Sequence, residues 1–268
     1  ATLADGTESR TCLVRVGDIT VPIFATAGLR GDRTTLADAA ALKASTPDSI
    51  LLDAGDALHG TQSASLTGGM DMLSAFSAAG YDLQAMALND FAYGTTRLVS
   101  DANMGSGPSL ASNLLNNEAT AVFYRSTSWN RNRITNGMNY VITRAGYRIG
   151  FFSLADADTV NNKISLVNEE TPFANDLTQT ASEQVAALQA QGVDAIICIA
   201  TPGVDTAALQ TTLKDLGVTA IVDGSSSASG QDTLYRAGAA LGLDGVARFD
   251  LVFTQGGGVA VRGADTVT

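Results

Sequence analysis

The sequence predicts an α/β protein with a mixed sheet or a sheet sandwich, on three observations. Ala/Leu-rich helical segments close on glycine and pass directly into apolar runs, as helix-Gly-Val-Asp-strand at Gly192 and helix-Gly-Val-Thr-strand at Gly217. Two other segments have the pattern of antiparallel hairpins. The chain of 268 residues is 45% hydrophobic and 16% charged, so it can bury a large core.

The elements follow in order. "TCLVRV" (11–16) and "ITVPIFATA" (19–27) are apolar, β-branched runs and are expected as strands. "TLADAAALKAS" is a helix with a threonine N-cap. "SILLDAG" is a strand, and "GGMDMLSAFSAAG" a helix closed by Gly80. "LQAMAL" is a strand. "NYVITRAGYRIGFFSLA" is a hairpin turning at Ala145-Gly146. "NDLTQTASEQVAALQAQG" is the longest helix and leads to the strand "VDAIICIA". "DTAALQTTLKDLG" repeats the scheme before "VTAIVDG". "VARFDLVFTQGGGVAVRG" is a second hairpin, with its turn at Gly256 to Gly258. No linker, composition shift or internal repeat divides the chain, so residues 1–268 are expected to form one domain.

Charge narrows the function. A net charge of −11 and a pI near 4.4 argue against nucleic acid and anionic membrane as partners, since both demand basic patches. No apolar run reaches the roughly 18 residues of a membrane span, so direct membrane insertion is not expected. The small, polar start "ATLADGTESR" fits the mature end left by signal-peptide cleavage. The two cysteines are Cys12 and Cys198. The second, in "DAIICIA", is expected as a buried small hydrophobe, and a disulfide between them stays open. There is no CxxC, GxSxG, GxxxxGK[ST] or GxGxxG. The single histidine, His59, sits in "GDALHGTQS", which is no triad loop, and is expected as a partly exposed loop residue. "DADTVNN" begins like a calcium loop but has Asn161 where glycine is required and lacks the closing acid.

"SILLDAGDALHG" runs an apolar strand into Asp-Ala-Gly-Asp. A carboxylate there is either a hard-metal ligand or a turn-capping group. "GYDLQAMALNDFAYG" resembles an active-site loop without a reactive side chain. The order of such segments resembles the metal-dependent domain of the 5′-nucleotidase family, within the calcineurin-like metallophosphoesterases. "VPIFATAGLRG" is similar to the family's first strand and its Thr-Asn-Asp-x-His-Gly loop. "LLDAGDALHG" is similar to Asp-x-Gly-Asp-x-x-x-Gly, and "GYDLQAMALNDFAYG" to the stretch ending Gly-Asn-His-Glu-Phe-Asp-Tyr-Gly. "LASNLL", "YRIGFFSLADADT", "VDAIICIATPGVD", "VTAIVDGSSS" and "LDGVARFDLVFTQGGGVAV" resemble later segments in sequence order. The resemblance implies a four-layered α/β/β/α sandwich and a two-metal site that activates water against a phosphoester.

The family's ligands are nearly all replaced. Its first Asp falls on Gly28 and its first His on Arg30. The bridging Asp is kept as Asp56. The metal-binding Asn falls on Leu88, the acid-assisting His on Asn89 and the Glu after it on Asp90. The later His positions fall on Thr201, Ser225 and Ser227. Leu88 ligates nothing, and the permanent cation of Arg30 repels a metal by about 4 kcal/mol per unit charge at 4 Å and an effective dielectric near 20. No metal or other cofactor is therefore expected. The base-binding C-terminal domain of family nucleotidases is expected to be absent, and no nucleotide substrate is expected. The sequence thus points to a pseudoenzyme: a binding or structural subunit with an unidentified protein partner, periplasmic or secreted as family members mostly are. Two alternatives stay open. One is a hydrolase with a rebuilt site, in which Asp53, Asp56, Asp90 and Asp223 gather a single hard ion. The other is a metal-free phosphate module of Arg30 with Ser225 to Ser227. For Arg30 the favoured arrangement is an ion pair with Asp56.

Overall fold

A computed structural model describes residues 17–104, 107–115, 123, 137–165, 173–174, 176–231, 233–240 and 245–263. The expected strand 11–16 and Cys12 lie outside the described residues.

Alternating apolar residues of the first run form β1 (Ile19–Thr26), which turns through a short loop into α1 (Thr34–Ser45) and returns as β2 (Ile50–Asp53). The short α2 (Gln62–Thr67) and α3 (Met70–Ala79) precede β3 (Leu83–Ala85). A 3-10 turn, Leu88–Phe91, then leads to α4 (Thr95–Met104), β4 (Ser109–Leu110) and β5 (Leu114–Leu115). The expected hairpin is β6 (Asn139–Arg144) and β7 (Tyr147–Leu154). After it come α5 (Ala157–Ser165), β8 (Phe173–Ala174), α6 (Leu177–Ala190), β9 (Ala195–Ala200), α7 (Thr206–Leu216) and β10 (Ala220–Asp223). The short β11 (Gly230–Gln231), β12 (Tyr235–Gly238) and the second hairpin, β13 (Ala247–Phe253) with β14 (Val259–Gly263), follow as the last elements among the described residues.

Two six-stranded sheets result, ordered β14-β13-β1-β2-β3-β4 and β11-β12-β10-β9-β7-β6, with β5 and β8 as a separate pair. The two-residue period of the strands decides the layers. On β1, Val21, Ile23 and Ala25 join Ile149 and Phe151 of β7 and Ile197 and Ile199 of β9 in a core between the sheets. The opposite face of β1 offers Phe24 to Leu36, Met72, Phe76 and Leu98 from α1, α3 and α4. The opposite face of β9 offers Ile196 and Cys198 to Ala181, Val185, Leu188 and Leu213 from α6 and α7. The architecture is the expected four-layered α/β/β/α sandwich.

Local chemistry departs from expectation in places. No threonine side chain caps α1: its N-cap is Arg33, and Asp32 accepts the N–H and hydroxyl of Thr34. The run expected as strand 83–88 ends at Ala85, because Leu88 opens the 3-10 turn. Asn161 lies within α5, so "DADTVNN" is a helix start rather than a calcium loop.

Candidate functional site

The strands β1, β2 and β3 run parallel, as do β7, β9 and β10. The positions of the family's ligands therefore sit just past the carboxyl end of a strand or in the turn that follows it, and Asp53 and Asp223 are the last residues of β2 and β10. The two sheets present those ends together. Asn113, beyond β4, exchanges two hydrogen bonds with the backbone of Ala155, beyond β7, at 2.8 Å each.

The loop after β1 is laced to the loop after β2. Gly28 N–H donates to Gly55 O at 2.9 Å, Arg30 N–H to Asp56 O at 3.0 Å and Gly31 N–H to Ala57 O at 2.7 Å. Close approach forces the glycines here. A Cβ on Gly60 would fall 2.4 Å from the carbonyl oxygen of Arg30, and one on Gly31 would fall 2.6 Å from Cβ of Ala64. Arg30, Asp56 and Leu88 all have positive φ, at 50°, 61° and 40°. Non-glycine residues there cost roughly 1 kcal/mol or more each and persist only where surrounding contacts fix them.

At the centre is Asp56, with its side chain 1% exposed. Its Oδ2 accepts Nε–H of Arg30 at 2.8 Å. Its Oδ1 accepts the backbone N–H of Asn89 at 3.1 Å and Nδ2–H of the same residue at 2.8 Å. Both oxygens are thus engaged by this chain's own donors, and the expected Arg30–Asp56 ion pair is present.

Asp90 is a clamp. Its Oδ1 accepts N–H from Ala57 and Leu58 at 2.9 and 2.8 Å, and its Oδ2 accepts N–H from Asp56 and Ala87 at 2.9 Å each. Burial pushes the Asp90 carboxyl up to about 7; the Ala87 N–H pulls the other way, and the charge of Asp56 adds to the rise. Asp53 accepts the hydroxyl of Thr26 at 2.6 Å and N–H of Gly55 at 2.8 Å. With the Thr26 hydroxyl hydrogen directed at Asp53, the Thr26 oxygen is left to accept the Tyr81 hydroxyl across 2.9 Å. Burial raises the Asp53 carboxyl well above the usual carboxylate range. Sequence identified the positions of Asn89 and Asp90 but not these roles. The only local signal for Asp90 is its place three residues beyond Ala87, where a side chain can reach back to the turn's first N–H.

In the second sheet, Thr201 is fully buried and its hydroxyl has no partner among the described residues. Ser225 accepts Gly203 N–H at 2.9 Å, which joins the loops after β9 and β10, and Ser227 is exposed. Asp223 pairs with Arg236 at 3.1 Å and accepts the Thr206 hydroxyl at 2.7 Å. The four carboxylates expected for a single-ion site are therefore separately committed. Among the described residues no three His, Cys, Asp or Glu side chains converge as a metal site. No hydrogen bond joins Arg30 to Ser225, Ser226 or Ser227 among the described residues.

His59 is not partly exposed, as expected, but buried. Its ring meets Tyr93 edge-on at 4.7 Å, and Nδ1 has no partner among the described residues. Burial lowers its pKa below the usual imidazole value. Cys198 is buried and free, and burial pushes its thiol well up.

No protein family matches the sequence, and no curated protein matches it. Solved structures do. The chain is similar to the calcineurin-like phosphoesterase YfkN of Bacillus subtilis at TM-score 0.68 and 14% identity, over 92% of this chain and 89% of that one. It is similar to the NAD nucleotidase NadN of Haemophilus influenzae at TM-score 0.67 and 16% identity, over 93% of this chain. It is similar to a 5′-nucleotidase precursor of Thermus thermophilus at TM-score 0.67 and 17% identity, over 94% of this chain. It spans 50% and 54% of those last two chains. The fold is that of the calcineurin-like metallophosphoesterases and 5′-nucleotidases.

Proposed function

We propose that the chain is a non-catalytic member of this fold, a binding or structural subunit of an exported assembly. The observation that supports it is Asp56. In a two-metal phosphoesterase the bridging carboxylate must leave its oxygens to metal. Here Arg30 holds one and Asn89 the other. The remaining positions offer a bare backbone at Gly28, an alkyl group at Leu88 and hydroxyls at Thr201, Ser225 and Ser227. Neutral hydroxyls are poor substitutes for the imidazole and carboxylate donors that hold divalent metals. The residues present do not fit a dinuclear centre, and the guanidinium supplies the one positive charge Asp56 needs. Among the described residues no helix is long and apolar enough to cross a membrane, which is compatible with export.

The test is metal content by mass spectrometry after dialysis against manganese, zinc, magnesium and calcium, with turnover of nitrophenyl phosphate esters measured in parallel. The expected result is substoichiometric metal and no metal-dependent turnover. One or two metals per chain with turnover that chelation abolishes would overturn the reading.

A further inference from the structure

The loop that carries Asp56 runs into α2, and this short helix is almost wholly on the surface. Gln62, Ser63, Ser65, Leu66 and Thr67 are exposed, and only Ala64 is buried. Leu66 is 81% exposed and Tyr93 is 44% exposed, and they are the two large apolar side chains so exposed among the described residues. They are neighbours on the surface: the Tyr93 hydroxyl donates to the carbonyl of Ser65, the residue before Leu66, at 3.1 Å. Single exposed apolar side chains need no explanation, but two neighbouring ones on the helix that follows the Asp56 loop and beside it call for one.

An arginine stands at each end of α2. Arg30 packs against Gly60, just before the helix, and the guanidinium of Arg97 lies over Gly68, just after it. Each gives its Nε–H to a buried acid, Arg30 to Asp56 and Arg97 to Asp101. Their side chains are nonetheless 64% and 53% exposed, and no hydrogen bond engages an Nη of either among the described residues. The acids beneath are hidden. The half-buried Asp71 beside α2 takes the hydroxyls of Ser63 and Thr67. What a partner meets is therefore guanidinium N–H, an aromatic ring and a leucine, on a molecule of net charge −11. Tyrosine and arginine are the residues that dominate binding energy at protein interfaces.

We propose that the face of α2 between Arg30 and Arg97 docks a protein partner that presents carboxylates around an apolar side chain. This rests on the reading of the chain as a non-catalytic binding subunit. A second copy of the chain fits poorly, since a two-fold contact through this face would set the arginines against each other. An anionic membrane fits poorly too, because it repels a molecule of net charge −11 as a whole. A protein contact is local and meets only the patch.

The experiment places a photo-cross-linking benzoylphenylalanine at Gln62 of the full chain, in the cells that make it. The linked peptide is identified by mass spectrometry, and a probe at Gln255, in the β13–β14 turn, is the control. One protein is expected, linked through a peptide with an excess of Asp and Glu. Its yield should fall about tenfold or more in Leu66→Ser and in Arg97→Gln. It should also fall in extracts at about 0.5 M salt. Leu66→Ser removes only an exposed group, so loss of folding, checked by circular dichroism, cannot explain its effect. A link to a second copy, to lipid alone, or to a peptide without excess acid would overturn the proposal. So would a yield indifferent to both variants, or none above the Gln255 control. Metal-dependent turnover would defeat the non-catalytic reading by a separate measurement, whatever the cross-link shows.

Discussion

Asp56 and Asp90 are buried carboxylates with different supports, and their variants should differ accordingly. Arg30→Ala removes one donor to Asp56 and leaves both from Asn89. Because the guanidinium is well exposed, the expected loss is modest, about 1–2 kcal/mol by urea unfolding. Asp90→Asn turns an amide N–H₂ toward two backbone N–H groups, so a loss of about 2–4 kcal/mol is expected in the same measurement. Its pH dependence is distinctive. The folded state holds the Asp90 proton more tightly than the unfolded chain does, so this contribution is full below about pH 4 and is lost as pH rises toward 7. The advantage of wild type over Asp90→Asn should therefore shrink across that range, by up to about 1.4 kcal/mol per pH unit. An advantage that grows instead would mean that the four N–H groups outweigh burial. Sequence alone pointed to the Arg30–Asp56 pair, because one cation fell beside one surviving acid. It gave no access to the Thr26–Asp53–Tyr81 chain, whose members lie 27 and 55 positions apart.

At the scale of elements, the strands and glycine-closed helices were legible because period and punctuation are local. Gly80 and Gly217 end α3 and α7 in the left-handed conformation the sequence suggested. The amphipathic α4 and α5 were missed, since "TTRLVSDANM" and "ADTVNNKIS" are rich in poor helix formers and acquire order by packing. Loop-to-loop packing was equally hidden, and it sets the next prediction. Gly60→Ala drives a Cβ into the backbone of Arg30 at a φ of +156°. A loss of about 2–3 kcal/mol is expected, with α2 losing amide-exchange protection before the β-sheet core does. Equal loss of protection throughout the chain would show that the two loops are not a separate unit.

For the molecule as a whole, the two sheets and their outer helices enclose cores of apolar side chains. The thermal midpoint should be the same within about 1 °C in EDTA and in millimolar manganese or zinc. A rise of several degrees with metal would mean that some group outside the described residues completes a site. The layered architecture was legible from sequence chiefly through the order of its segments, since each motif alone fits a turn as well as a metal loop. The burial of His59 was not, because nothing local in "GDALHGTQS" places Tyr93 over its ring. One buried atom offers a practical handle on the whole. Cys198 lies in β9, inside the second sheet, with helices on one side and its flanking strands on both edges. Thiolate formation there requires the sheet to part, so a disulfide reagent becomes a clock for the rarest opening of the native state. Its labelling rate at Cys198, followed by peptide mapping, should track the global unfolding equilibrium and ignore fluctuations of the surface loops.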